Sequence, residues 1–181
     1  TNNMKLTTTF SIPRSPYPIR AENQILCIGS CFAENMGSRL ADLPLAVSNQ
    51  AMGTLFHPLN ILRALQPQEL KAEELYKQGD NFVHPDFHSQ FMGAAPEAFL
   101  AQLNTLKTNT LEFLKSSQFL VITWGTAYYY EDKVLGRAIA NCHKQLPARF
   151  SKHVSTVEEI CAVYEEFLRK RPFLKVIISV S

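Results

Sequence analysis

The segment Gln24-Ile25-Leu26-Cys27-Ile28-Gly29-Ser30-Cys31 carries the clearest structural signal in this chain. It begins with a short apolar run and then meets a Gly-Ser turn. Beyond the turn, apolar side chains recur at helical spacing, at Phe32, Met36, Leu40 and Leu43. An apolar run, a turn and an amphipathic segment in this order predict a buried strand that passes directly into a helix.

The alternation of strand and helix patterns continues along the chain. Short apolar runs predict further strands, and Pro or a capping box marks the start of each further long helix. The predicted strands are residues 45–47, 118–124 and 173–180, and the predicted helices begin at Pro58, at Pro96 and after Thr156. Strands separated by helices predict a three-layer α/β/α fold of the flavodoxin-like type, with a mainly parallel sheet.

The segments between these elements carry weaker signals. Between residues 67 and 95 we expect a short charged helix and then an irregular loop rich in His, Pro and Gly. Residues 128–130 and 134–140 flank Asp132-Lys133 and indicate a hairpin.

The two ends of the sequence suggest where the domain lies. We expect one domain over residues 4–181, with residues 1–3 a remnant of cloning ahead of a natural start at Met4. The last apolar strand pattern, residues 173–180, indicates a buried strand; it stops at Ser181, and such a strand needs neighbours. We therefore expect a C-terminal part of the domain to be missing, and an apolar strand left at the edge would allow a homo-oligomer to form.

Composition excludes several classes of function. The 181 residues include 18 basic and 16 acidic side chains, a net charge of +2, which argues against nucleic acid as a partner. No apolar run approaches the roughly 20 residues of a membrane-spanning helix, so we expect no membrane partner. The four cysteines form no CxxC pair, which favours reduced thiols and a cytoplasmic location.

Glycine-containing turns follow three of the predicted strands and carry the candidate chemistry. They are Gly29-Ser30-Cys31, Gly53 and Gly125-Thr126. In a doubly wound sheet, ligands bind beyond the carboxyl ends of the strands, where these turns meet. The helix N-terminus favours a thiolate at Cys31, and backbone N–H groups of Cys31 and Gly53 would stabilise an oxyanion. This pattern is typical of acyl transfer.

Structural roles remain open for the same residues. Cys31 would serve as a small buried side chain at a strand–helix corner, and Ser30 as a helix cap. Histidines 88 and 143 are, by residue type alone, more often structural hydrogen-bonding groups. His84 and His88 have the spacing of helical metal ligands, but Pro85 disfavours a helix there and no further ligands complete a site. We therefore expect neither a metal nor a cofactor.

Five ordered segments resemble the GSCFA family. Residues 28–35, Ile-Gly-Ser-Cys-Phe-Ala-Glu-Asn, contain the string that gives the family its name. The other four are residues 56–61 (Phe-His-Pro-Leu-Asn-Ile), 87–89 (Phe-His-Ser), 124–127 (Trp-Gly-Thr-Ala) and 141–144 (Asn-Cys-His-Lys). The resemblance runs from about Met4 to Ser181. The family is similar to the SGNH hydrolases, whose activities centre on ester cleavage and acyl transfer.

The resemblance assigns roles to individual positions. Cys31 occupies the nucleophile position of the SGNH Gly-Asp-Ser opening, with Ser30 at the Asp position, and Gly53 resembles the second-block glycine. Gly125 and Thr126 begin the third block, where Ala127 replaces an Asn whose loss as an oxyanion donor costs other enzymes ~10²–10³ in rate. The final Asp-x-x-His block has no counterpart before Ser181. The resemblance therefore implies a base beyond this residue and an inactive fragment without it.

The remaining signature residues are expected to line the site; they are His88, Ser89, Asn141 and His143. The sequence thus leads to a hypothesis of an SGNH-like esterase or acyltransferase. Its substrate would be a small-molecule or glycan ester, such as an O-acyl group of a glycan, and its nucleophile Cys31 or, as second choice, Ser30. The alternative is a non-catalytic module that binds a glycan or a protein, which Ala127 and Ser30 favour.

Overall fold

A parallel sheet of four strands forms the centre of the fold. The structure is a computed structural model and describes residues 11–181, so the expected start at Met4 lies outside the described residues. Along the chain the strands are β1 (Gln24–Gly29), β2 (Ala46–Asn49), β3 (Tyr76–Gln78), β4 (Asn81–Val83), β5 (Phe119–Trp124), β6 (Tyr128–Asp132), β7 (Arg137–Ile139), β8 (Phe150–Val154) and β9 (Lys175–Val180). The central sheet has the order β2-β1-β5-β9.

Helices cover both faces of this sheet. They are α1 (Cys31–Ala41), α2 (Pro58–Ala64), α3 (Pro96–Ser116) and α4 (Val157–Arg169). Alternate side chains of β1 point to opposite faces: Ile25 and Cys27 lie in the cluster that Leu40 of α1 joins, whereas Leu26 and Ile28 pack with side chains of the other three helices. Each fully buried aliphatic side chain stabilises the folded state by about 1.5–3 kcal/mol. The predicted three-layer α/β/α class is confirmed.

The strand order places a switch point between β1 and β5. From β1 the chain passes through α1 to β2 on one side, and later elements build β5 and β9 on the other. Strands β1 and β5 pair in parallel from Ile25–Phe119 to Gly29–Thr123. In open parallel sheets a crevice forms at such a point, beyond the carboxyl ends of the two strands.

Two small antiparallel sheets flank the central one. Strands β3 and β4 form a hairpin, and β7-β6-β8 form a three-stranded sheet. A satellite core between them contains Tyr76, Val83, Ile139 and Phe150. The predicted hairpin around Asp132 is confirmed as β6 and β7. Within residues 11–181, no helix is both long enough and apolar enough to cross a membrane.

Two details of the predicted layout are wrong. The charged segment after residue 67 forms only a 3₁₀ turn, Ala72–Glu74, before the β3-β4 hairpin. Burial of Tyr76 and of Glu74 against partners far along the chain outweighs the local helix propensity there. Strand β9 was expected to be buried, but it lies at the edge of the sheet, where Ile177 and Ile178 are 45% and 43% exposed.

Gly29 allows β1 and β5 to come together where the crevice begins. Its φ is +137°, a conformation that L side chains rarely adopt. A Cβ added at this position would stand only 2.7 Å from the backbone nitrogen of Thr123 and would overlap the carbonyl oxygen of the same residue. The turn after β1 therefore depends on the absence of a side chain.

We expect Gly29→Ala to lower the free energy of unfolding by about 3 kcal/mol or more, since backbone strain and overpacking add together. Gly79→Ala is the matched control. Gly79 also has a positive φ, of +61°, but nothing lies within 4 Å of its added Cβ, so the expected loss is only about 1–2 kcal/mol. Urea unfolding followed by circular dichroism measures both. Equal losses would contradict a role for the close contact with β5.

Candidate functional site

Ser30 forms the buried corner between β1 and α1. Its backbone N–H donates to the Thr123 carbonyl at 2.9 Å, which fixes the corner against β5. Its hydroxyl oxygen accepts the Phe32 N–H at 3.3 Å and so caps α1. The Ser181 hydroxyl, at the carboxyl end of β9, donates to the same oxygen at 3.2 Å. Ser30 is 1% exposed, and its hydroxyl group serves the structure.

Cys31 is the first residue of α1 and is exposed. Its environment differs from that of Cys27, four residues earlier in β1, where burial raises the pKa of the thiol to about 11. Burial also raises the pKa of Cys142, while Cys161 is exposed on α4. The thiol of Cys31 is thus accessible at a helix N-terminus, where unpaired N–H groups favour an anion.

The loop after β2 is tied to the Ser30 corner by Gln50. The side-chain amide of Gln50 donates to the carbonyls of Gly29 and Ser30, both at 2.9 Å. The backbone carbonyl of Gln50 accepts the Gly53 N–H at 2.7 Å. Gly53 is thus connected to the corner through Gln50, and its N–H is already occupied and not free for an oxyanion in this conformation.

Gly125 and Thr126 lie at the carboxyl end of β5, on the other side of the switch point. The Gly125 N–H donates to the Phe56 carbonyl at 2.8 Å, and the Phe56 ring lies against the glycine. Thr126 Oγ1 accepts the Tyr128 N–H at 3.0 Å. This leaves the proton of the Thr126 hydroxyl as a donor at this edge of the sheet.

His88 packs on Gly53. A Cβ on Gly53 would overlap the Cβ of His88, and the His88 N–H donates to the Met52 carbonyl at 3.3 Å. The His88 Nδ1 accepts the Gln90 N–H, so its other ring nitrogen carries the proton in the neutral form. The structure thus brings His88 and Gly53 together, while the neighbouring Ser89 is exposed.

Asn141 and His143 connect two loops: Asn141 holds the backbone of His143, and the His143 ring contacts the other loop. The Asn141 side chain accepts the His143 N–H at 2.9 Å, and His143 has a φ of +46°. The His143 Nε2 lies 2.8 Å from the His84 carbonyl and donates to it. Burial lowers the pKa of His143, which favours the neutral ring. These contacts hold the loop that carries His88, and none of them reaches the Cys31 turn.

His57 was part of a recognised segment, but the sequence did not reveal its role. Its Nδ1 accepts the Leu59 N–H at 3.3 Å and caps α2, and its Nε2 donates to the Ala127 carbonyl at 3.2 Å. Burial lowers the pKa of His57. The one available signal was its position directly before Pro58, where an N-cap is expected. Gln50 was also missed, although it is a polar residue directly after a predicted strand.

A buried ionic cluster supports the loop beneath His88. Arg137 contacts Glu74 at 2.6 Å and Asp86 at 2.7 Å, and Arg63 contacts Asp86 at 3.0 Å. Burial raises the pKa of Glu74, but the His84 ring at 3.6 Å and the hydrogen bonds from Arg137 outweigh this effect and hold the pKa well below its ordinary value. In the part of the chain that the structure describes, no three His, Cys, Asp or Glu side chains are arranged to hold a metal ion.

Two cavities, of about 510 and 890 Å³, lie at the other end of the sheet. Both are lined by Pro67, Leu114, Lys115 and Arg171, near the amino ends of β5 and β9. The residues at the carboxyl ends carry the candidate nucleophile and the hydrogen-bond donors, so we place the candidate site there on chemistry rather than on cavity size.

Accessibility predicts an order of thiol reactivity in the native protein. With iodoacetamide at pH 7, we expect Cys31 to be labelled first and Cys161 more slowly, because only Cys31 lies at a helix N-terminus. Cys27 should resist labelling until the protein unfolds. Peptide mapping by mass spectrometry at successive times measures all three rates in one sample. Labelling of Cys161 ahead of Cys31 would contradict activation at the helix N-terminus.

The depressed pKa of Glu74 predicts a pH dependence of stability. Its carboxylate stabilises the fold above the ordinary value of 4.5, and this contribution declines as the pH falls below that value. We expect Glu74→Gln to cost about 3 kcal/mol at pH 7, since it removes one of the two carboxylates that pair with Arg137 in the buried cluster. The difference from the wild-type protein should narrow at pH 4. Urea unfolding at both pH values measures it, and a constant difference would contradict the assignment.

Comparison with known proteins agrees with the five segments. The chain has no significant match among curated proteins or among solved structures. The family model described as the GSCFA family matches residues 24–181, from the first residue of β1 through all the strands and turns of the candidate site. The chain belongs to the GSCFA family.

Proposed function

We propose that this protein is an SGNH-like esterase or acyltransferase that uses Cys31 as its nucleophile. One observation carries the proposal: the Cys31 thiol is exposed at a helix N-terminus beside the switch point, whereas the adjacent Ser30 hydroxyl is a buried cap. A nucleophile must reach the substrate, so the geometry favours Cys31 over Ser30. Family membership is compatible with this activity but does not define it.

The proposed reaction proceeds through a thioester. The Cys31 sulfur attacks the ester carbonyl carbon, the carbon–oxygen bond to the alcohol breaks, and the alcohol leaves with a proton. Water then releases the acid, or an acceptor alcohol takes the acyl group, and the thiol is regenerated. Within residues 11–181, no histidine hydrogen bonds to Cys31. The proposal assigns proton transfer to a base outside these residues.

The proposed oxyanion donors differ from those expected from the sequence. The N–H groups of Gly53 and Gly125 donate to internal carbonyls. The donors that we propose are the Cys31 N–H, in the first turn of α1, and the hydroxyl proton of Thr126. Ala127 offers no side-chain donor. Such donors are already oriented before the negative charge develops. In other enzymes each lowers the activation free energy by about 3 kcal/mol.

An O-acyl group on a glycan is the substrate class that we propose. Three half-exposed aromatic side chains flank the candidate edge. They are Phe32, Phe56 and Tyr128, which are 46%, 47% and 53% exposed. Phe32 follows Cys31, and the Phe56 ring lies against Gly125. The backbone N–H of Tyr128 donates to the Thr126 hydroxyl oxygen. Exposed aromatic surface beside polar groups is typical of ligand-binding grooves, and it suits the apolar face of a sugar ring.

A non-catalytic glycan-binding module is the second candidate. The internal hydrogen bonds of the Gly53 and Gly125 N–H groups favour it, since a catalytic oxyanion hole would leave such groups free. Both candidates share the aromatic edge. They differ in whether Cys31 is needed for anything beyond binding.

Ester turnover by the full-length protein distinguishes them. With p-nitrophenyl acetate and an acetylated oligosaccharide, we expect Cys31→Ala to lower kcat/KM by at least ~10²-fold. Cys161→Ala, which removes an exposed thiol on α4, is the control and should leave turnover unchanged. Ser30→Ala should cost about 1 kcal/mol of stability through the lost cap and reduce turnover less than Cys31→Ala.

The opposite outcomes are equally informative. If Cys31→Ala and Ser30→Ala both turn over ester at the wild-type rate, neither residue is the nucleophile. If the full-length protein binds the oligosaccharide without cleaving it, and Cys31→Ala binds it equally well, the protein is a binding module.

A further inference from the structure

We infer that Gln50 is a positioning residue that holds the peptide group between Ser30 and Cys31. The inference rests on the proposed function for its catalytic meaning, because the N–H of this peptide group is the proposed oxyanion donor. Its structural basis is the set of hydrogen bonds that Gln50 makes at the switch point.

Gln50 makes four hydrogen bonds, three of which join the loop after β2 to β1 and the Ser30 corner. Its backbone N–H donates to the Cys27 carbonyl at 3.0 Å, and its backbone carbonyl accepts the Gly53 N–H at 2.7 Å. Its side-chain Nε2 donates to the carbonyls of Gly29 and Ser30, each at 2.9 Å. The residue is 8% exposed. One buried amide group therefore contacts two adjacent carbonyls, each of which also accepts a backbone N–H, from Leu55 at 2.8 Å for Gly29 and from Ala33 at 2.9 Å for Ser30.

The Ser30 carbonyl belongs to the same planar peptide group as the Cys31 N–H. Because the peptide is rigid, a donor that fixes the carbonyl oxygen also fixes the direction of the N–H on the opposite side. A hydrogen bond to the carbonyl also polarises the group and strengthens its N–H as a donor. Gln50 would thus orient and strengthen the Cys31 N–H without touching the substrate.

The unfavourable features of Gln50 support a specific role. Its φ of +49° is a conformation that costs free energy in any residue with a side chain. Its Oε1 is buried without a hydrogen-bond partner, which is also costly. Exchanging the amide oxygen and nitrogen would place Oε1 against two carbonyl oxygens, so the two acceptors fix the orientation of the amide. Gln50 therefore combines a strained backbone with an unpaired side-chain oxygen. Both occur where its side-chain NH₂ group contacts the turn that leads into Cys31.

The side chain requires both length and two donors. Gln50→Met keeps the length and removes the donors. Gln50→Gly removes the side chain but suits a φ of +49°, so it separates the loss of the hydrogen bonds from backbone strain. Gln78→Met is the matched control, because Gln78 also has a buried, unpartnered Oε1 but lies in β3, away from the turn.

The first measurement does not depend on ester turnover. In ¹H–¹⁵N spectra of the full-length protein, loss of a hydrogen bond to a carbonyl shifts the amide nitrogen of the following residue upfield. We expect the Ser30 and Cys31 nitrogens to shift upfield in both Gln50 variants and to stay in place in Gln78→Met. The native-state labelling rate of Cys27 should remain slow, which shows that the fold is intact. Unchanged nitrogen shifts would overturn the inference.

The second measurement is turnover of p-nitrophenyl acetate. We expect both Gln50 variants to lower kcat by ~10- to 100-fold, since a donor is weakened rather than removed, with KM within ~2-fold. An unchanged kcat, in a protein whose turnover needs Cys31, would overturn the positioning role. A proportional rise in Cys27 labelling would also overturn it, because the effect would then be unfolding. If the wild-type protein has no Cys31-dependent turnover, the proposed function fails, and the nitrogen shifts alone decide whether Gln50 holds the peptide.

Discussion

The close approach of Gly29 to the backbone of Thr123 is the contact on which the candidate site depends. It brings the ends of β1 and β5 together without an intervening side chain. The Ser30 N–H can then donate to the Thr123 carbonyl, which turns the chain directly into α1. Cys31 becomes the first residue of a helix at the switch point because of this geometry. A larger side chain at position 29 would separate the strands at the place where the crevice opens.

From this corner, a continuous set of hydrogen bonds connects the carboxyl ends of all four central strands. Gln50 connects the corner to β2, Thr123 connects it to β5, and Ser181 connects it to β9. Parallel strands end at the same edge, so a few backbone groups and single polar side chains are sufficient to make these connections. The residues that make these connections are far apart in sequence, and the site is assembled mainly by backbone groups. Its architecture is therefore a consequence of sheet topology more than of any single motif.

The sequence predicted the elements whose signals are local. The apolar run before Gly29, the prolines that begin α2 and α3, and the capping box at Thr156 each placed an element correctly. Strand β8 was missed, because its alternation is short and its pairing with β6 joins residues 18 to 26 positions apart. Hydrogen-bond partners were also beyond prediction. Nothing in the local sequence shows that the Gly53 N–H is used by Gln50, or that His143 contacts the His84 carbonyl.

The division of roles between Ser30 and Cys31 links the fold to the chemistry. A side chain that caps a helix must turn towards the backbone N–H groups of the first turn, whereas a nucleophile must be accessible to the substrate. Adjacent positions at an N-terminus meet these two requirements, because the cap lies outside the helix and the next residue within its first turn. The Ser30 hydroxyl therefore caps the helix, and the Cys31 thiol remains accessible. The same division explains why the Ser30 carbonyl, and not its hydroxyl, is the group through which Gln50 would act on the site.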